Sequence, residues 1–359
     1  MHVLFVAQYG SQAASSRTRV FDYLPLLRKA GIHSKVFVVA PDAWVLRLNA
    51  GGLLNRLLYY CVAWFRTWYI GLYCIWQAKR YDALFIQKVL FPSPISTLLR
   101  RHRHKVLFDF DDAIFTLETV GTGWLNKIRY RRRQRGLPAM LQATHCAVVE
   151  NAYTAEYAQQ LCSQVVRITG PIDTMRYTPG NHVSKDDLVL GWIGSPTTTR
   201  YLELIRKPLA ELGQRYPNVK LCLIGASHFD FDGLPVVNFA WDLGTEVECL
   251  RQFDIGLMPL PNDDFTRGKG GYKLLQYMAM GLPVVASPVE INCELVDDGQ
   301  NGFLAETSDE WVQYLSCLIE DVGLRRQMGQ AGRKKMEQDF SLQQSSQRLI
   351  ETLQSFVQV

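Results

Sequence analysis

A chain of 359 residues, 48% hydrophobic and 20% charged, carries enough apolar material for two domains with their own cores, and its composition excludes a disordered chain. A net charge of +5 with a sequence pI near 8.7 is too mild to imply nucleic acid by itself, but suits anionic substrates or an anionic membrane surface. Eight cysteines without C-x-x-C or Cys/His clustering point away from a zinc site and a disulfide framework, and toward a reducing cytosol.

The N-terminus, Met1-His2-Val3-Leu4-Phe5-Val6-Ala7, reads as a buried parallel strand with no basic region or cleavage site before it, so no signal peptide is expected. The loop that follows, Tyr9 to Arg19, offers Ser15 or Ser16 as a helix N-cap. Strand-like runs at Val36 to Val39, Ala83 to Gln87, Val106 to Phe110, Cys146 to Val149 and Val165 to Ile168 alternate with helical stretches. That is the βαβ rhythm of a doubly wound sheet.

Between the second and third of these strands, Leu53 to Trp76 reads LLNRLLYYCVAWFRTWYIGLYCIW. About 20 apolar residues are needed to span a bilayer. Arg56 and Arg66 spoil a span, because a mid-bilayer arginine costs roughly 2.5 to 3.5 kcal/mol. The segment reads instead as an interfacial helix, with Trp64, Phe65 and Trp68 at the headgroup boundary and the arginines snorkelling to phosphates. An ordinary helix packed on the sheet is the other reading. Basic runs at Arg100 to Lys105 and Arg129 to Arg135 suit an anionic leaflet or a lipid diphosphate. Nucleic acid is not expected, since no binding motif accompanies the charge.

Phe108-Asp109-Phe110-Asp111-Asp112-Ala113 places three carboxylates at a strand's carboxyl end. Alternation predicts Asp109 and Asp111 on one face and Asp112 elsewhere. Such a cluster could instead hold magnesium. A linker is expected near Asp173 to Ser184, marked by Pro179, Gly180 and Asn181. A second set of strands follows at Leu188 to Ile193, Val219 to Ile224, Val236 to Phe239, Ile255 to Met258, Val284 to Ala286 and Gly302 to Leu304, with a last helix from about Leu342 to Phe356.

Most informative is Arg267-Gly268-Lys269-Gly270-Gly271-Tyr272-Lys273-Leu274-Leu275-Gln276-Tyr277-Met278-Ala279-Met280-Gly281-Leu282-Pro283-Val284-Val285. A glycine-rich loop bearing cations runs into a short apolar helix. Backbone N–H groups at Gly270 and Gly271 would face an anion along the positive end of the helix dipole, with Lys269 and Lys273 adding full charges. The spacing matches neither a P-loop nor a dinucleotide fingerprint.

This block, with Asp298-Gly299-Gln300-Asn301-Gly302-Phe303-Leu304 downstream, resembles the donor-binding segment of retaining glycosyltransferases of family 4 (glycosyl transferases group 1). The resemblance implies an α/β GT-B fold: two Rossmann-like doubly wound domains facing across a cleft. It places an acceptor-side domain at 1–176, a nucleotide-sugar domain at 184–340 and a C-terminal helix, 341–359, crossing back to the first. The family's Glu-x7-Glu pair is replaced by Gly268 and Gln276, as in a branch reading Arg-Gly-Lys-x-x-x-Lys-x-Leu-Gln-Tyr-Met-Ala. Gln276 retains an amide for a ribose hydroxyl. Where the family carries Gly-Arg-x4-Lys, this chain has Gly194, Ser195 and Arg200.

The resemblance therefore implies Lys269, Arg200 and Asp111 as catalytic residues, with Gly194, Ser195, Arg267, Gly268, Gly270, Gly271, Tyr272, Lys273 and Gln276 on the donor. Ser16, Arg17, Asp109 and Asp112 fall on the acceptor side. The activity implied is sugar transfer from a UDP- or GDP-sugar to a membrane-associated glycan or lipid-linked acceptor in polysaccharide or lipopolysaccharide assembly, peripheral to the inner face of the cytoplasmic membrane. No metal is expected to be essential, because cations and a helix dipole stabilise the departing diphosphate. A non-catalytic GT-B-like binding protein of an assembly complex is the rival, and a sugar-nucleotide epimerase fits the fold but not the aromatic stretch.

Overall fold

The computed structural model describes residues 1–116, 124–180 and 187–356, leaving Asn181 to Ser184 of the expected linker outside the described residues. The chain divides into two units. One comprises Met1–Pro171, Gly268–Gly270 and Leu342–Val359, and the other Ile172–Arg267 with Gly271–Ser341.

The first unit is built on a six-stranded parallel sheet: β1 (His2–Tyr9), β2 (His33–Ala40), β3 (Ala83–Gln87), β4 (Val106–Phe110), β5 (Cys146–Val149) and β6 (Gln164–Arg167). Their order is β2-β1-β3-β4-β5-β6. Side chains of β3, β4 and β5 are buried throughout, so these strands read as apolar runs interrupted only by Gln87 and Asp109, which are themselves buried. Two cores flank the sheet. One joins Leu4, Leu84, Ile86 and Phe108 to Ile70, Cys74, Leu137 and Met140 of the covering helices. The other joins Val3, Phe5 and Phe85 to Leu349 and Leu353 of the helix Leu342–Ser355.

The second unit repeats the plan with β7 (Leu188–Ile193), β8 (Val219–Ile224), β9 (Val236–Phe239), β10 (Ile255–Met258), β11 (Val284–Ala286) and β12 (Gly302–Leu304), in the order β12-β11-β10-β7-β8-β9. Gly191 and Gly256 occur inside strands because a Cβ would lie 2.0 Å from the Phe253 ring and 2.4 Å from that of Tyr277. Arg333 ties three segments together, donating to the carbonyls of Tyr177, Ala279 and Thr174.

The aromatic stretch forms one helix, Leu53–Gln77. No helix among the described residues is long and apolar enough to cross a membrane. Trp64 and Phe65 stand 51% and 65% exposed, in a stripe continued by Leu57, Tyr69, Leu72 and Trp76. Two expectations are corrected. Trp68 is half-buried against the core, because the helix turns that side toward the sheet. Arg66 does not snorkel: its guanidinium donates to the Val38 carbonyl from Nε at 3.0 Å and Nη2 at 2.6 Å.

Candidate functional site

In the first unit, charged side chains gather where β1, β3, β4 and β5 end. The helix after β1 starts at Ala14, so Ser15 and Ser16 lie inside it and neither caps it. Ser16 is fully buried, accepting from Tyr9 N at 3.0 Å and donating to Gln87 Oε1 at 2.8 Å, and this fixes the first loop against β3. Arg17 is buried and donates to Gln12 O. Neither side chain is presented to an acceptor from these positions.

Asp109 is also taken up internally. Arg19, 1% exposed, binds it in a fork with Nε at 3.0 Å from Oδ2, and reaches Glu150 Oε1 at 3.3 Å and the carbonyls of Ile168 and Gly170. Burial pushes the Asp109 carboxyl up to about 6 against the pull of Arg19. Burial likewise drives Glu150 well above the ordinary carboxylate range, and Asp111, Asp112 and Asp109 add to the rise.

Lys88 follows β3 directly, with a left-handed φ of 60° that a non-glycine residue adopts only when held there. Its amide donates to Asp109 O at 2.7 Å. Its ammonium lies 2.5 Å from Asp111 Oδ1 and donates to Asp112 Oδ2 at 2.8 Å. The alternation argument is thereby corrected: β4 ends at Phe110, so Asp111 and Asp112 sit together in a turn and Asp109 points apart from both. Burial opposes ionisation of Asp112, but Lys88 and Lys269 outweigh it and hold the carboxyl well below its usual range.

Gly268–Gly270 belong to this unit. A Cβ on Gly268 would lie 2.2 Å from Ala113 Cβ, and one on Gly270 1.5 Å from Glu150 Oε2, so the backbone passes too close for side chains. Asn151, which caps the helix Ala152–Gln159, donates to Lys269 O at 2.9 Å. The Lys269 ammonium stands 3.8 Å from Asp112 Oδ1.

In the second unit the carboxyl ends of β7 and β8 are stripped of side chains. A Cβ on Gly225 (φ 72°) would lie 2.4 Å from Gly194 O, and one on Gly194 2.8 Å from Lys273 Nζ. Gly271, at φ 69°, caps the helix Tyr272–Ala279, and Lys273 from its first turn lays its ammonium 4.0 Å over the Trp192 ring. Ser195 closes a turn with Thr197 and Thr198. Arg200 stacks on Tyr201 at 5.1 Å, and Arg267 donates to Asn262 Oδ1 at 2.8 Å.

Gln276 does not present its amide as the ribose reading requires. It is 3% exposed and donates to Tyr177 Oη at 3.2 Å. Tyr177 in turn donates to Glu246, which also accepts from Trp241 Nε1 at 2.5 Å. Tyr177 gives the buried amide its hydrogen-bond partner, which is what makes its burial tolerable.

Sequence reasoning missed Arg19, Lys88, Glu150 and Glu246. Lys88, a cation directly after a strand, carried a signal; Arg19 and Glu246 find partners 90 and 69 residues away, for which no local pattern exists.

Residues 187–321 match the family model described as Glycosyl transferases group 1. The spore coat protein SA of Bacillus subtilis (strain 168) is 22% identical over 194 residues, covering 50% of this chain and 51% of that protein. The capsular polysaccharide biosynthesis glycosyltransferase CapM of Staphylococcus aureus is 26% identical over 171 residues, covering 44% and 43%. The chain thus spans about half the length of the curated relatives it matches. Anabaena HepE, solved in complex with UDP and separately with UDP-glucose, aligns in the UDP complex with a TM-score of 0.66 at 16% identity, over 99% of this chain and 100% of that one. With two parallel six-stranded sheets, this likeness gives the GT-B fold.

Proposed function

We propose that this protein is a nucleotide-sugar-dependent glycosyltransferase that moves a sugar, with retention, onto a membrane-associated glycan or lipid-linked acceptor in polysaccharide or lipopolysaccharide assembly. The observation that carries the reading is the edge of the second unit, inside the matched segment. There Gly194 and Gly225 clear side chains from two adjacent strand ends, and Lys273 rises from the first turn of a glycine-capped helix. A nucleoside diphosphate leaving group needs donors and positive charge fixed before the bond breaks, and this edge supplies both. HepE, of the same fold, was solved with UDP and UDP-glucose, which supports a UDP-sugar over other donors.

In this reading the first unit handles the acceptor. Asp111 and Asp112, paired with Lys88 and with Lys269 close to Asp112, orient the attacking hydroxyl or balance charge developing on the sugar. Arg19, Asp109, Ser16 and Gln87 hold that edge in place. Lys273, Arg200 and the helix dipole supply the charge a divalent ion would otherwise bring to the diphosphate, so no metal is required. The exposed stripe of Leu53–Gln77 seats the protein on the inner face of the cytoplasmic membrane.

The rival is a non-catalytic binding protein of the same fold, favoured by one observation: Gly268 has no side chain and Gln276 is buried, so the pair usual in the family makes no exposed sugar contact here. Incubating the full chain with a panel of UDP- and GDP-sugars, with and without membranes, and measuring nucleoside diphosphate release separates the two. Release stimulated by membranes, with an axial or equatorial linkage matching the donor's, is expected. Tight nucleotide binding with no release under any condition would select the rival.

A further inference from the structure

Three arginines take no part in the carboxylate edge. Arg131, Arg132 and Arg135, on the helix Trp124–Gln142, line a groove of ≈ 420 Å³ whose other wall is Leu90, Phe91 and Pro92. Positions i, i+1 and i+4 fall within an arc of about 100° of the helix. Gly136 on the same helix lets it approach that wall, since a Cβ there would lie 3.3 Å from Leu90 Cβ. Among the described residues, no carboxylate forms an ion pair with any of the three.

A cationic wall facing an apolar one selects an anion that carries hydrocarbon. Guanidinium groups suit phosphate oxygens, which they grip through paired N–H donors. The groove adjoins two features already described. Leu90 lies two residues beyond Lys88, at most about 7 to 8 Å along the chain, and Arg133 of the same helix lowers the Asp112 carboxyl. On the other side, Phe91 packs under Gly71 of Leu53–Gln77, where a Cβ would lie 3.1 Å from Phe91 Cδ1. One end therefore meets the acceptor-side carboxylates and the other meets the helix with the exposed apolar stripe.

We propose that this groove holds the phosphate or diphosphate of a lipid-linked acceptor, with Arg131, Arg132 and Arg135 on the anion and Leu90 to Pro92 along the first carbons of its chain. The proposal deepens, and rests on, the acceptor-side reading of the first unit. A bulk anionic headgroup offers the same charge, but a groove of this volume fits one headgroup with its adjoining carbons, within the range of small-molecule sites.

The test compares the full chain with the triple variant Arg131→Gln, Arg132→Gln, Arg135→Gln in flotation with three kinds of vesicle. These are phosphatidylcholine alone, phosphatidylcholine with a few mole per cent of a long-chain polyprenyl diphosphate, and phosphatidylcholine with phosphatidylglycerol at matched charge. The native chain is expected to favour polyprenyl diphosphate over phosphatidylglycerol by about tenfold, and the variant to lose roughly two orders of magnitude on the former, from three cations each worth about fivefold. Unchanged binding overturns the proposal. So does equal loss on both anionic vesicles, which marks a diffuse basic patch. UDP binding and melting temperature, read on both proteins, are expected to be unaffected; absent UDP binding would count against the donor site while leaving the vesicle comparison decisive.

Discussion

The two sheet edges share a topology and differ in how they are furnished. In the first unit, three cations (Arg19, Lys88, Lys269) meet four carboxylates (Asp109, Asp111, Asp112, Glu150). In the second, glycines leave bare backbone, with Lys273 standing over an aromatic ring. Parallel sheets put strand ends and helix starts together in both cases. What each edge can hold depends on whether that place is filled with paired charge or cleared for a ligand's own charge.

The comparison breaks most visibly at Asp109. Asp109→Ala leaves the Arg19 guanidinium buried beside Glu150 alone, and should cost about 3–5 kcal/mol of stability, read by denaturant titration; a loss under 1 kcal/mol would mean that the first edge is not held by its ion pairs. Next in size, Lys273→Ala should lower turnover by roughly two to three orders of magnitude while the protein stays folded. Lys269→Ala is expected to cut turnover less, since its ammonium stands beside Asp112. The reverse order would move the leaving-group charge to Lys269.

Within the helix Leu53–Gln77 the same logic separates neighbours. Trp68→Ser should lower stability by ~1–3 kcal/mol, whereas Trp64→Ser with Phe65→Ser should leave the melting temperature alone and release the protein from anionic vesicles. If the exposed pair melts the protein, the stripe is core.

Four carboxylates against three cations leave one negative charge in excess, and the raised Glu150 is where a proton resolves it. A carboxyl whose folded pKa is raised binds its proton more tightly folded than unfolded, so its contribution falls as pH climbs above about 4.5. Asp109 adds the same sign between about 4 and 6, and Asp112, being lowered, acts oppositely below 3.8. Glu150→Gln should therefore gain on the native chain as pH rises from 4.5 through neutrality, in thermal melts across that range. A gain that grows toward acid would reverse the assignment. Smallest of all, a chelator should leave transfer unchanged; loss restored by magnesium or manganese would make the turn of Asp111 and Asp112 a metal site.

Much of the frame was readable beforehand. Most of the strand runs carried their signal as largely apolar stretches, and Ala83–Gln87 and Leu188–Ile193 fall where the sequence reading placed them. The site was less legible because its rules change at element boundaries. Alternation served as far as Phe110 and failed one residue later, in the turn. Gln276 looked like a ligand group because it stands where the resembled family carries the second Glu of its pair, while the Tyr177 that accepts from its amide lies 99 residues earlier. Arg66, similarly, looked amphipathic until the Val38 carbonyl gave it a partner.

The helix Leu342–Ser355 has a consequence for synthesis. It lays Leu349 and Leu353 on Val3, Phe5 and Phe85, residues far earlier in the chain. A ribosome therefore releases the second unit's sequence whole while one face of the first sheet is still bare, and that apolar face stays open to chaperones, proteases and aggregation until the helix Leu342–Ser355 emerges. Truncation ahead of Leu342 would leave the matched segment 187–321 intact in sequence yet yield a protein that clears from the cell or precipitates, a loss of abundance that could be mistaken for a loss of activity.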